Sequence, residues 1–191
     1  TLWVIEQACK DLVELINSGH KEHTISVNLS AKNLAINNLA EKIENILIKH
    51  QAPAHLLKFE LTESAFVESQ DVLIKLVDEL SALGIKVVLD DFGTGYASLS
   101  YLVNYHFSEL KIDKSFIFDL VNNPAHQVIV QTSIDMAHQL NLSITVEGVE
   151  TQEIHQLLKQ MNADRAQGYL YAKALPYPEY VNFLKSQYSL K

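Results

Sequence analysis

Residues 86–95 read KVVLDDFGTG, and the reading of this stretch decides the fold. Val87, Val88 and Leu89 form a short apolar run, two adjacent carboxylates (Asp90 and Asp91) end it, and Gly93 and Gly95 supply a turn. An apolar run of this length bounded by a glycine-rich turn predicts a buried strand over residues 86–90 with its polar end at a loop. The same grammar recurs on both sides, at residues 24–28, 57–61, 110–113 and 142–147, and more weakly at 165–167. Between these runs the apolar period changes to that of a helix. It is carried by Leu39, Ile43, Ile46 and Leu47; by Val72, Leu73, Leu76, Val77 and Leu80, with Gly84 as the expected C-cap; by Val128, Ile129, Met136 and Leu140; and by Ile154, Leu157, Leu158 and Met161. Residues 3–16 and 178–184 read as helices too. Strands alternating with helices predict βαβ units and a parallel sheet.

The strand ends carry the chemistry. In order they are Asn28, Glu60, Asp90 with Asp91, Lys111 with Asp113, Glu147 and Gln167. Side chains alternate along a strand, so Val27, Phe59, Leu89, Leu110, Ile112 and Val146, of opposite parity, are expected to face covering helices while the polar set faces inward. A ring of polar groups at the C-terminal strand ends is where a β/α barrel places its active site. An open α/β sheet also binds ligands there, but it gathers fewer strands at one crevice. Six convergent ends therefore favour an α/β fold of the TIM-like β/α-barrel type, with about six βα units present in one domain over residues 1–191.

Composition bounds the rest. A chain of 191 residues that is 48% hydrophobic and 20% charged builds an ordinary globular core and is not a disordered segment. The single cysteine, Cys9, excludes a disulfide framework and fits a reducing, cytoplasmic setting. No run reaches the roughly 18 apolar residues of a membrane span. A formal net charge of −8 argues against gripping long nucleic acid by charge alone. Glu60, Asp90, Asp91 and Glu147 with the amide of Asn28 form an all-oxygen donor set, which suits Mg²⁺ or Mn²⁺ rather than zinc. Adjacent Asp90 and Asp91 could each serve one of two ions, Asp91 being turned inward by the loop that begins there. Two close metals are the usual device for in-line attack on a phosphodiester.

Six ordered blocks then resemble one family. They are SVNLSAKNL (26–34), FELTES (59–64), DDFGTGYASLSYL (90–102), LKIDKSFI (110–117), VEGVET (146–151) and QGYLYAKAL (167–175). In content, order and spacing they resemble the EAL domain, the cyclic-di-GMP phosphodiesterase family, from residue 3 to about residue 184. The resemblance implies hydrolysis of cyclic-di-GMP to linear pGpG with two ions, Mg²⁺ or Mn²⁺. It implies that Asn28, Glu60 and Asp90 bind one ion, and that Asp90 and Asp91 bind or bridge to the second. Lys111 is implied to touch the attacking water or the phosphate, and Glu147 to act as general base or second-metal carboxylate. The resemblance further implies that Glu150 and Gln167 complete the metal, water or guanine surroundings, that Asp113 supports the same rim, and that Glu63 holds the loop at residues 91–98. It implies a homodimer and accompanying sensor or diguanylate cyclase (GGDEF) domains.

One departure stands out. The family's name-giving Glu-Ala-Leu triplet, whose glutamate is a metal ligand, occurs nowhere in the 191 residues. The resemblance places it upstream of the first helix, so the chain is expected to be an N-terminally truncated domain. Alone, it is expected to bind metal poorly and to hydrolyse slowly or not at all. The alternative is a catalytically inactive relative acting as a cyclic-di-GMP receptor or protein-interaction module. Other features read as structural: His20 and His23 in a polar loop, His126, His138 and His155 on helices, Cys9 as a small buried hydrophobe. Residues 116–118 read as core or dimer packing, and Tyr169 and Tyr171 as either packing or the guanine end.

Overall fold

The computed structural model describes residues 1–34, 36–68, 70–95 and 99–188. Nine helices and six strands lie in the described residues. The strands are β1 (Ile25–Leu29), β2 (Leu57–Thr62), β3 (Lys86–Phe92), β4 (Glu109–Ile112), β5 (Ser143–Val146) and β6 (Arg165–Ala166). The helices are α1 (Leu2–Asn17), α2 (Ala31–Leu34), α3 (Leu39–His50), α4 (Glu63–Glu68), α5 (Gln70–Ala82), α6 (Leu99–Asn104), α7 (Pro124–Gln139), α8 (Gln152–Gln160) and α9 (Tyr177–Tyr188). All six strands are parallel and stand in sequential order from β1 to β6. Six consecutive βα units in this order make the wall of a TIM-like barrel, as the strand ends predict.

The parity argument holds strand by strand. Val27, Phe59, Leu89, Leu110, Ile112 and Val146 are all buried in one apolar core between the sheet and its helices. Helix α1 adds Ile5, Ala8 and Cys9, and α3 adds Leu39, Ala40, Ile43 and Leu47, at spacings of three and four residues that form one stripe. Fully burying a side chain such as Phe59 stabilises the fold by about 1.5–3 kcal/mol. Cys9 is wholly buried, and burial pushes its thiol up to about 11, which leaves it an inert hydrophobe.

Local chemistry sets the helix ends. Helix α5 stops at Gly84, whose φ of +81° lets the Ile85 amide donate to the Leu80 carbonyl (3.0 Å) and the Gly84 amide to the Ser81 carbonyl (2.9 Å). Helix α7 starts at Asn123, whose side chain accepts from the Ala125 and His126 amides, with Pro124 in the first turn. Thr151 caps α8 by accepting from the Ile154 amide.

Helices α1 and α3 are tied on their outer side by Glu6. Its carboxylate accepts from Lys49 Nζ at 2.7 Å and lies 3.0 Å from His50 Nε2. Hydrogen bonds to Lys49 and then His50 lower the Glu6 pKa from its ordinary 4.5 to about 2. The folded state holds its proton less tightly than the unfolded chain, so this tie is complete above pH 4.5 and is lost as the pH falls through that interval. Glu6→Gln is therefore expected to melt below the parent at pH 7, and the gap to close as melts are repeated from pH 4.5 toward pH 2.

Candidate active site

The strand-end residues meet around one lysine. Lys111, buried on β4, places its Nζ 2.6 Å from Glu147 Oε1, 2.9 Å from Glu60 Oε2 and 3.2 Å from Asp90 Oδ1. These partners come from β2, β3 and the residue just past β5. Burial alone would lower the lysine's pKa. Its hydrogen bonds to Glu147 and Glu60, with the Asp90 charge, outweigh burial and hold it above the ordinary lysine range. The ammonium is a fixed cation.

The tandem aspartates are brought to the same side by a β-bulge. Leu89 pairs with Leu110 and Phe92 with Ile112, so β3 spends one extra residue across from Lys111. Asp91 takes up the extra length in the left-handed region, at φ +56°. The strand thus runs through Asp91 to Phe92; it is a bulge within β3, rather than the following loop, that turns Asp91 inward. Carboxylate oxygens of Asp90, Asp91 and Glu147 lie within 4.8 Å of one another. Burial, then the charges of Asp90 and Asp113, raise the pKa of Asp91; burial raises that of Glu147 against the pull of Lys111. Negative charges crowded together and partly desolvated, with a lysine already seated among them, are the donor chemistry a hard divalent cation fits.

The remaining residues fall around this centre. Asn28 on β1 is in register with Glu60, next to the cluster and exposed. Gln167 is tied to the end of β5 by its backbone, its amide donating to the Val146 carbonyl at 2.8 Å, while its side chain is exposed. Glu150 is likewise exposed. The Asp113 carboxylate caps the short 3-10 turn at Lys114–Phe116 by accepting from the Ser115 amide.

Glu63, at the first turn of α4, grips the loop after the bulge. Its Oε2 accepts from the Gly93 amide at 3.0 Å and the Gly95 amide at 3.1 Å. On the other side the Phe116 ring presses on Gly93, which has φ +94°; a Cβ there would lie 2.8 Å from Phe116 Cε2. Residues 96–98 of the loop lie outside the described residues.

The histidines and aromatic residues outside the cluster pair or pack locally. His20 and His23 meet edge to face, with ring centroids 5.2 Å apart. His126 and His138 pair with Asp119 and Asp164, and His155 with the Tyr171 hydroxyl. Ile117 enters the core while Phe118 is exposed. Tyr169 lies under the Lys173 ammonium.

A second polar layer, absent from the reading of the strand ends, lies below the first. Lys58 Nζ donates to Glu109 Oε2 at 2.5 Å, Thr145 Oγ1 donates to Glu109 Oε1 at 2.5 Å, and Arg165 Nη1 donates to Glu109 Oε2 at 3.2 Å. These residues stand two positions before Glu60, Lys111, Glu147 and Gln167. Extending the same parity one step down each strand would have reached them.

A TIM-like barrel wall with a carboxylate cluster at the C-terminal ends of its strands defines the class. The family model of the EAL domain matches residues 1–174, and the chain belongs to that family. It is 37% identical over 175 residues to the bifunctional diguanylate cyclase/cyclic di-GMP phosphodiesterase MucR of Pseudomonas aeruginosa, covering 91% of this chain and 25% of that protein. It is 36% identical over 184 residues to the cyclic di-GMP phosphodiesterase NbdA of the same organism, covering 96% of this chain and 24% of the relative. The chain thus spans about a quarter of the length of these curated relatives. Among solved structures, the MucR phosphodiesterase in complex with c-di-GMP superposes with a TM-score of 0.89 at 35% identity, covering 94% of this chain and 72% of that one. The EAL domain of Mycobacterium smegmatis DcpA gives 0.90 at 31% identity, covering 96% and 83%.

Replacing Glu63 by alanine removes the acceptor of two loop amides. Glu63→Ala is expected to cost about 1–3 kcal/mol in denaturant unfolding and to speed hydrogen exchange at Gly93 and Gly95. Parent-like exchange there would contradict the grip.

Proposed function

We propose that this domain hydrolyses cyclic-di-GMP to linear pGpG. The observation that carries the reading is the meeting of Glu60, Asp90, Asp91 and Glu147 around Lys111 at the strand ends. Its support also includes family membership and relatives named as cyclic di-GMP phosphodiesterases.

Asn28, Glu60, Asp90, Asp91 and Glu147 are the residues that would hold two Mg²⁺ or Mn²⁺ ions. Such ions supply Lewis acidity at a phosphoryl oxygen and a more acidic water near neutral pH. Water adds across one P–O bond: its oxygen stays on phosphorus, and a proton goes to the ribose oxygen that leaves. Lys111, charged throughout, faces the negative charge that builds on the phosphate in the transition state. Glu147 serves either as the general base that receives the proton of the attacking water or as a carboxylate of the second ion. Glu63 keeps the loop after Asp91 in place, and Gln167, Glu150 and Asp113 form the rim. Held cations also reconcile a chain of net charge −8 with a dianionic substrate. A homodimer, linked sensor or diguanylate cyclase domains and a cytoplasmic setting belong to the same reading.

A second reading is a receptor that binds the nucleotide without cleaving it. One experiment separates them. Cyclic-di-GMP binding and hydrolysis are measured with Mg²⁺ or Mn²⁺ for this chain and for the intact gene product that contains it. Metal-dependent pGpG formation by the intact protein, abolished by chelation, is expected; nucleotide binding with no pGpG would establish the receptor. Glu147→Ala is expected to lower kcat by about 100- to 10,000-fold with nucleotide binding retained.

A further inference from the structure

Two ion pairs cross the inner face of the sheet, one above the other, with opposite polarity. In the upper, the anion Glu60 is on β2 and the cation Lys111 on β4; in the lower, the cation Lys58 is on β2 and the anion Glu109 on β4. Each lower residue precedes its upper neighbour by two positions, which sets the layers about 6.6 Å apart along the strands. Both pairs span the same third strand, β3, where Val88 is in register with Glu60 and with Glu109. Lys58, Glu109 and Thr145 are all buried.

The sign pattern creates a hazard. Lys111 has a long, flexible stem, and Glu109 lies below it on the same strand with opposite charge. Lys58 stands in the same relation to Glu60. Unsatisfied, Glu109 would draw the Lys111 ammonium down and Lys58 would draw the Glu60 carboxylate down, both away from the strand ends. The structure prevents this by saturating the lower layer. Glu109 accepts from Thr145 on one oxygen and from Lys58 and Arg165 on the other, and Arg165 is steadied by the Ser143 hydroxyl at 3.1 Å.

We propose that Lys58, Thr145 and Arg165 are positioning residues: by saturating Glu109 they keep it from drawing Lys111 down and so fix the height at which Lys111 and Glu60 present their charges. Their catalytic consequence rests on the phosphodiesterase reading; their structural consequence for Lys111 does not. The polarity makes the role separable from mere stability. Lys58→Met leaves Glu109 without its buried cation, and Lys58→Met with Glu109→Leu removes the pulling charge as well, an exchange of a buried pair for apolar residues that a fold tolerates. Lys58→Glu with Glu109→Lys restores a pair but puts like charge beneath Glu60 and beneath Lys111. Thr145→Val deletes one hydrogen bond to Glu109 at nearly constant volume and tests the same link should either double variant fail to fold.

The test measures kcat and KM for cyclic-di-GMP with Mn²⁺ in the intact protein, melting temperature, and the ¹H–¹⁵N resonance and proton exchange of the Lys111 ammonium. In Lys58→Met kcat is expected to fall by about tenfold or more with KM little changed and the Lys111 resonance to shift with faster exchange, and in the Met/Leu variant both are expected to return toward the parent. The charge-swapped variant is expected to lower kcat as Lys58→Met does, and Thr145→Val to move the resonance the same way by less, with a lower melting temperature because a buried oxygen of Glu109 loses its donor. An unmoved Lys111 resonance in Thr145→Val and, where it folds, in Lys58→Met overturns the proposal. So does parent-like kcat in the charge-swapped variant. Absence of turnover in the unaltered protein would count against the phosphodiesterase reading, and the Lys111 resonance would then decide the inference alone.

Discussion

Everything at the strand ends depends on one ammonium group. Three carboxylates from the ends of β2, β3 and β5 cannot be brought together and partly desolvated without a compensating cation, because the cost of burying like charges exceeds what the surrounding packing supplies. Lys111 is that cation. It is placed by β4, sits between β3 and β5 in the sheet order, and reaches Asp90 on the first, Glu147 beyond the second and Glu60 one strand further. The excess negative charge that remains is what makes the place chemically purposeful rather than merely neutralised.

The fold serves this arrangement in a simple way. A parallel strand alternates its side chains, so the residues that build the helix-facing core also determine which residues point inward. Phe59 and Leu110 are buried toward the helices, and Glu60 and Lys111, their neighbours in sequence, are thereby aimed at one another. The loop that follows the bulge is clamped from two sides, by the Glu63 carboxylate and by the Phe116 ring on Gly93. The order of the site thus comes from elements far apart in sequence that the sheet makes adjacent.

Much of this was legible before the structure. The run at 86–90 and its repeats placed all six strands to within two residues at their ends, and their parity picked out Glu60, Asp90, Lys111 and Glu147. What was not legible is pairwise. The bulge that turns Asp91 inward is a register shift between β3 and β4, and one strand's sequence does not state its register against another. The lower layer is a different case: Lys58 has the right parity, but Glu109 lies one residue before the run at 110–113 that reads as a strand, and neither residue's charge reveals its partner until the pairing across the sheet is known. The roles of Glu150 and Gln167 rest on resemblance alone, and their side chains are exposed.

The central claim is that Lys111 makes the carboxylate cluster possible, and it is tested most directly by the unfolding free energy of Lys111→Met in denaturant at neutral pH without divalent cations. Methionine keeps the length and packing of the stem and removes only the charge. Leaving buried carboxylates unpaired is expected to cost about 3–5 kcal/mol relative to the parent. A Lys111→Met protein as stable as the parent would contradict the account.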